Sequence, residues 1–330
     1  MEFTESTNID FEGIANLIND AKYIQICGHT NPDGDCISSQ LACKCALEAL
    51  GKEVDVLLAL NERAPHSFDF LPYFDEFKYA SRVKKKADLF IMVDVPNDKR
   101  LGFAGTELKE KAKVSLTIDH HFEEKRWSDF TLTDTSAAST TTLIWELLGF
   151  MGLNGSEQTA NCCLTGLKTD TGNFQFQNAD LRSFRIAAEM IEAGADNSFI
   201  SEKVFMRRSF SSIKIEQVAI SNLEVICNGK AAITTLSSLE LERCGATKND
   251  TEGIVDILRS IDGTEVVAFL RQDQDCTKVS FRALGDFDCR ELVAVYGGGG
   301  HAGAAGAKIE DTLEAAREIV ATQLKGVFGK

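Results

Sequence analysis

Val114-Ser115-Leu116-Thr117-Ile118-Asp119-His120-His121 is the stretch that decides how this chain folds. A short apolar stretch runs straight into one carboxylate and two imidazoles, and the chain has only five histidines in all. Alone, it reads equally as a polar turn after a buried strand. Two other runs end the same way: Tyr23 to Gly28 leads to His29, and Leu89 to Val93 leads to Asp94. Short apolar runs of this kind read as buried strands. Asp35 to Leu50, ending at Gly51, reads as a helix, and Val54 to Leu60 as a further strand. Strands separated by helices imply a parallel sheet, and open sheets of that class gather their sites at the carboxyl ends of strands. The expected class is α/β, with flanking helices on a parallel N-terminal sheet.

Length and composition set bounds. At 330 residues the chain suggests about two domains. Apolar residues make up 44% and prolines number four, as in a folded globular protein. No apolar run approaches the roughly 18 residues of a membrane span. Met1-Glu2-Phe3-Thr4-Glu5 lacks the pattern of a signal peptide, so a cytoplasmic location without membrane contact is expected. The ten cysteines contain no Cys-x-x-Cys pair, which argues for reduced, buried thiols over a structural zinc site. A net charge of −15 argues against coating long nucleic acids, but allows a small phosphorylated substrate. Part of that charge fits a carboxylate cluster neutralised by cations.

Farther along, residues 140–149, 157–169 and 181–193 read as helices, with Asp170 close to the apolar stripe of the second. Residues 197–222 read as one long helix of mixed polarity, containing Arg207 and Arg208. Beyond it, strands at 231–236, 266–270 and 278–283 and helices near 250–260, 288–296 and 312–325 indicate a smaller C-terminal α/β domain. The expected division is 1–195, a linker helix at 196–222, and 223–330.

The first chemical cluster is Gly28-His29-Thr30-Asn31-Pro32-Asp33-Gly34-Asp35. Pro32 and Gly34 turn the backbone, a geometry that can aim Asp33 and Asp35 at adjacent positions. With Asp94, His120 and Asp170 the set holds four carboxylates and two imidazoles, more than one divalent ion needs. Two ions about 3.5–4 Å apart clamp the attacking and leaving oxygens of an in-line phosphoryl displacement. Mixed Asp/His ligation suits manganese first, with cobalt, iron, zinc or magnesium as alternatives.

These blocks, together with Gly166-Leu167-Lys168-Thr169-Asp170-Thr171-Gly172, resemble the DHH phosphoesterase superfamily in identity and order. The resemblance implies that His29, Asp33 and Asp94 hold one metal and that Asp35, Asp94, His120 and Asp170 hold the other, with Asp94 bridging and a shared hydroxide attacking. It makes His121 a contact to the scissile phosphate and Asp119 a support for its neighbours.

A second cluster, Tyr296-Gly297-Gly298-Gly299-Gly300-His301-Ala302-Gly303, carries a formal Gly-x-Gly-x-x-Gly. A dinucleotide fingerprint needs a preceding strand, and a helical pattern precedes it here. The block is similar to the glycine-rich motif of the DHH-associated domain, and Lys278-Val279-Ser280-Phe281-Arg282 to that domain's Ser-x-Arg strand. The resemblance implies substrate contacts from Arg282, Ser280, Gly298, Gly299, Gly300 and His301, with Arg271 a weaker candidate. Ala283 stands where relatives often carry serine, which removes one polar contact. Arg207 and Arg208 read as solvent-facing or interfacial, and His66 as surface or structural.

Within the superfamily, the compact oligoribonuclease (nanoRNase) and 3′-phosphoadenosine 5′-phosphate (pAp) phosphatase branch fits the size. It implies hydrolysis of pApA, pGpG and short RNA to mononucleotides, dephosphorylation of pAp, and a homodimer. The alternatives are a related hydrolase acting on cyclic dinucleotides, pyrophosphate or polyphosphate, and a non-catalytic nucleotide-binding module.

Overall fold

A computed structural model describes residues 4–122, 125–285 and 287–329; the side chain of His301 lies outside this description. The chain divides at Arg207/Arg208 into two compact units.

In the first unit, helix α1 (Phe11–Asp20) precedes strand β1 (Tyr23–Cys27), helix α2 (Gly34–Ala49), and strands β2 (Glu53–Leu58), β3 (Lys78–Tyr79) and β4 (Leu89–Val93). Helix α3 (Asp98–Lys111), strands β5 (Val114–Asp119) and β6 (Phe130–Thr133), and helices α4 (Thr140–Phe150), α5 (Glu157–Asp170), α6 (Leu181–Glu192) and α7 (Asn197–Ser201) follow. The sheet order is β3-β2-β1-β4-β5-β6, and every pairing is parallel.

The central strands are buried on both faces, which is why they read as continuous apolar runs. Ile24, Ile26, Leu89, Ile91 and Val93 join the core shared with α2, α4 and α5. Cys27, Phe90 and Met92 face the other way, into the core that holds Leu101 and Leu108 of α3. The chain winds in one direction from β1 through β2 to β3 and in the other from β4 to β6. The switch between β1 and β4 leaves a crevice at their carboxyl ends, the place where such sheets bind ligands.

Helix starts are fixed by side-chain caps. Asp33, Ser139, Ser156 and Asp180 each accept a backbone N–H in the first turn of α2, α4, α5 and α6. Each is worth about 1 kcal/mol.

The second unit contains helix α8 (Phe210–Ser221), strands β7 (Glu224–Ile226) and β8 (Ala231–Leu236), helices α9 (Ser238–Cys244) and α10 (Ile254–Leu258), and strands β9 (Val266–Asp273) and β10 (Cys276–Ala283). Helix α11 (Arg290–Ala294), strands β11 (Gly299–His301) and β12 (Ala304–Ile309) and helix α12 (Leu313–Phe328) complete it. Its sheet order is β11-β12-β10-β9-β8-β7; only β8/β9 is parallel. Ala316, Val320 and Leu324 of α12 pack on one face, with Val279 and Phe281. Ile215, Ile254 and Leu258 pack on the other, with Val267 and Phe269.

One expectation is corrected. Residues 197–222 are not one helix: α7 continues as a wide turn over Glu202–Met206, Arg207 is extended, and α8 starts anew. Ser209 causes the restart, since its Oγ accepts the Ser212 N–H at 2.8 Å and caps the new helix. The glycine block is partly strand, since Gly299–His301 pairs antiparallel with β12. Gly300 has φ +147, and a Cβ there would lie 2.4 Å from the Ala304 carbonyl oxygen. Here the glycines permit a tight hairpin at the sheet edge.

All ten cysteines are unpaired thiols. Among the described residues no helix is long and apolar enough to cross a membrane.

Candidate metal centre

Three parallel strands deliver the polar groups. His29 follows β1, Asp94 follows β4, and Asp119 to His121 end β5. β4 lies between β1 and β5, so Asp94 stands between the two histidine-bearing segments. Its backbone is left-handed, with φ 60, a conformation aspartate tolerates better than most residues.

The residues fall into two adjoining groups. In one, His29 Nε2 lies 3.5 Å from Asp33 Oδ2 and 3.4 Å from Asp94 Oδ2. In the other, ligand atoms of Asp35, His120 and Asp170 lie within 4.8 Å of one another, with His120 Nε2 3.2 Å from Asp170 Oδ2. Asp94 Oδ1 is 3.8 Å from His120 Nε2, so this carboxylate reaches both groups. Asp33 and Asp35 therefore do not aim at one spot. Asp33 caps α2 at the crevice edge, its side chain 59% exposed, while Asp35 turns inward and is fully buried.

Both histidines are oriented by backbone. His29 Nδ1 is 2.8 Å from the Thr30 carbonyl oxygen, and His120 Nδ1 is 3.2 Å from that of Ala137. A carbonyl only accepts, so each Nδ1 carries a proton and each Nε2 is the atom presented to a ligand. His120 Nε2 is buried and faces the Asp170 and Asp94 carboxylates. His121 differs: its Nδ1 lies 2.8 Å from Asp119 Oδ1 and 3.3 Å from Asp94 Oδ1.

The electrostatics call for positive charge. Burial, then repulsion from Asp170 and Asp94, pushes Asp35 well above the usual carboxylate range. Burial likewise raises Asp170 to about 6 despite His120. Burial opposes charge on His120 and His121, but Asp170 and Asp94 hold His120 at about 9, and Asp119 and Asp94 hold His121 at about 11. Burial works against ionised Asp94, yet the hydrogen-bonding partners His121 and His29 hold it well below its ordinary value. Divalent cations would replace the shared protons and relieve the repulsion. The buried His120 Nε2, aimed at two carboxylates, and the mixed imidazole and carboxylate donors fit that occupant.

Several supporting residues escaped sequence reasoning. The first turn of α4 clasps Asp35: Thr140 N–H donates to Oδ2 at 2.6 Å, and Thr141 N–H and Oγ1 donate to Oδ1 at 3.0 and 2.8 Å. Thr140 Oγ1 also donates to Asp94 at 3.2 Å. A Cβ on Gly166 would lie 2.7 Å from Asp35 Oδ1, so the glycine lets α5 approach the carboxylate. Arg182 braces the loop before α4, donating to Asp134 at 2.8 Å and to Glu146 through a second edge. The signal for α4 was present as four hydroxyl residues, 139–142, ahead of an apolar helix; nothing in sequence pointed to Arg182.

In the second unit, Arg271, Lys278, Ser280 and Arg282 line a cavity of about 270 Å³ with Thr251, Glu252 and Phe269. Lys278, Ser280 and Arg282 alternate along β10, which puts them on one face. Arg282 Nε donates to Asp256 at 2.7 Å, and Arg271 donates to the Lys248 carbonyl and Thr251 Oγ1. Ser280 pairs in register with Gly306, itself opposite Gly299, which brings the glycine hairpin to the neighbouring strands. Gly298 packs tightly between Val293 and Gly306. Arg207 and Arg208 pair with Glu202 and Glu216, and His66 is exposed beside Asp69.

Comparison with known proteins agrees with this arrangement. The model of the DHH family, N-terminal domain, matches residues 23–167, and that of the DHHA1 domain matches residues 228–326. The bifunctional oligoribonuclease and PAP phosphatase NrnA of Thermus thermophilus is 29% identical over 304 residues, covering 89% of each chain. The protein of that name from Bacillus subtilis is 28% identical, covering 88% of this chain and 90% of its own. Among solved structures, an exopolyphosphatase-related protein from Bacteroides fragilis superposes with a TM-score of 0.89 at 27% identity, covering 97% of both chains.

Proposed function

We propose that this chain, which belongs to the DHH family in its DHHA1-bearing form, hydrolyses short oligoribonucleotides and linear dinucleotides to mononucleotides and dephosphorylates pAp. One observation carries the reading: His29, Asp33, Asp35, Asp94, His120 and Asp170 converge from separate segments on one crevice, with Asp94 common to both groups. The named NrnA relatives span nearly the whole chain and support the substrate class.

His29, Asp33 and Asp94 are assigned to one divalent cation and Asp35, Asp94, His120 and Asp170 to a second; manganese suits this donor set. Such a pair, when bound, neutralises phosphate charge and makes water a nucleophile at neutral pH. The chain's own residues do the rest. The Thr30 and Ala137 carbonyls fix the two imidazoles, and the amides of Thr140 and Thr141 hold Asp35 against its buried neighbours. Asp119 holds a proton on His121 Nδ1 and so orients the ring, whose role is a contact to the scissile phosphate. Arg282, with Ser280, grips a terminal phosphate by exchanging its Asp256 partner for the anion. Arg271, Gly298, Gly299, Gly300 and His301 complete the substrate contacts assigned to the second unit.

The test is chromatography of products from a mixture of pAp, dinucleotides and longer RNA, with manganese present. Mononucleotides from the short substrates and little change in the long RNA are expected. The similarity to an exopolyphosphatase-related protein makes pyrophosphate and polyphosphate the right counter-substrates. Rapid turnover of either, with pAp and dinucleotides untouched, would overturn the reading.

A further inference from the structure

Cys36 has no part in the function just assigned, yet it sits within the first ligand group. It follows Asp35 in α2 and is fully buried. Its Sγ, a ring nitrogen of His29 and a carboxylate oxygen of Asp94 all lie within 4.8 Å of one another. His29 and Asp94 are themselves only 3% and 2% exposed. With Nδ1 of His29 committed to the Thr30 carbonyl, Nε2 is the atom aimed at Asp33 and Asp94. The group thus offers one nitrogen, one carboxylate and one sulfur, with Asp33 reaching the same imidazole from the crevice edge.

We propose that Cys36 is a further ligand of the cation held by His29, Asp33 and Asp94, giving that subsite a soft donor which the Asp35–His120–Asp170 subsite lacks. The inference rests on the metal-centre assignment above. As a divalent cation binds, the S–H bond breaks, its proton leaves to solvent, and the sulfur electron pair goes to the cation. Sulfur beside imidazole favours zinc, cobalt or iron, whereas oxygen-rich sets favour manganese or magnesium. The two subsites therefore differ in preference, and a thiophilic ion fills the Cys36 side first. The competing role for Cys36 is packing, since its Sγ rests against Gly28, where a Cβ would lie 2.1 Å away.

Cobalt(II) chloride titrated anaerobically into the metal-stripped, full-length protein separates the two. Ligation yields a near-ultraviolet thiolate-to-cobalt charge-transfer band beside the visible cobalt bands. Cys36→Ser and Cys36→Ala should lose the ultraviolet band, retain visible bands, and bind zinc roughly tenfold less well relative to manganese. A band unchanged in both variants, or no band in wild-type protein that has bound cobalt, overturns the proposal. Cobalt-edge X-ray absorption of the wild-type protein, which distinguishes one sulfur neighbour from none, decides the matter should neither variant fold. His29→Ala and Asp94→Asn test the parent assignment separately. If they bind cobalt as wild type does, the metal centre itself is wrong. If they lose cobalt while the Cys36 variants keep the band, only the role of the thiol fails.

Discussion

The crevice of the first unit and the cavity of the second both manage charge, but not by the same means. In the crevice, Asp35, His29 and His120 are tied to backbone, by α4 amides on the carboxylate and carbonyls behind the two imidazoles, while Asp94 is buried among side chains. In the cavity, Arg271 donates to the Lys248 carbonyl, but Arg282 Nε is tied to a side chain, Asp256, and Lys278 is exposed. Backbone ties leave little freedom, so the crevice is preorganised for small cations of fixed geometry. Side-chain ties can be exchanged, so the cavity can release a carboxylate and take a phosphate in its place. Buried like charges also cost far more than exposed ones, which makes the crevice dependent on its ions and the cavity stable alone.

Four measurements test this contrast. The largest effect is expected from Asp94→Asn, which weakens the carboxylate common to both groups. Turnover of a dinucleotide should fall roughly 10⁴-fold at saturating manganese, and a loss below tenfold would remove Asp94 from the centre. Arg282→Ala should act on binding: KM for a 5′-phosphorylated dinucleotide should rise roughly 10- to 100-fold with kcat little changed. A fall in kcat alone would mean that the cavity is as rigidly built for chemistry as the crevice.

The third measurement is pH dependence. His120 is raised to about 9, so below that pH a proton competes with the incoming cation. Manganese affinity should climb by about tenfold or more per unit between pH 7 and 9 and less steeply above 9, where His29, held well above its ordinary value against the cost of burial, still carries a competing proton; its release should be visible by calorimetry. Below about pH 6 the Asp170 proton competes too, and the slope steepens. Without metal the sign for stability is opposite: the His120 contribution is complete below its ordinary value and is lost as pH rises through 9. A flat affinity profile would mean that the crevice carries no shared proton. The smallest effect is expected from Thr141→Val, which removes one of three donors to Asp35. Manganese affinity should drop by about tenfold or less, with substrate KM unchanged.

Much of this was open to a reader of the sequence, for local reasons. Strands buried on both faces must be apolar, so β1, β4 and β5 announced themselves, and their polar endings marked the crevice. The strand at 130–133, the hairpin at 299–309 and the break at 207–209 were missed. The first is four residues long, the second is written in glycine and alanine, and the third depends on Ser209 choosing to cap instead of continuing a helix.

The inventory and its order can be read along the chain: which segments end in imidazole or carboxylate, and which strand carries Ser280 and Arg282. How those groups share space follows from the packing of the elements. The strand order put Asp94 between His29 and His120, and the start of α2 left Asp33 as its cap at the crevice edge while Asp35, in the first turn, faces inward. The α4 amides, Arg182 and Cys36 entered through contacts between segments far apart in the chain, apart from the helix that links Cys36 to Asp35. The physical reason is range: burial and periodicity are written locally, whereas the position of one side chain against another depends on packing that no single segment encodes.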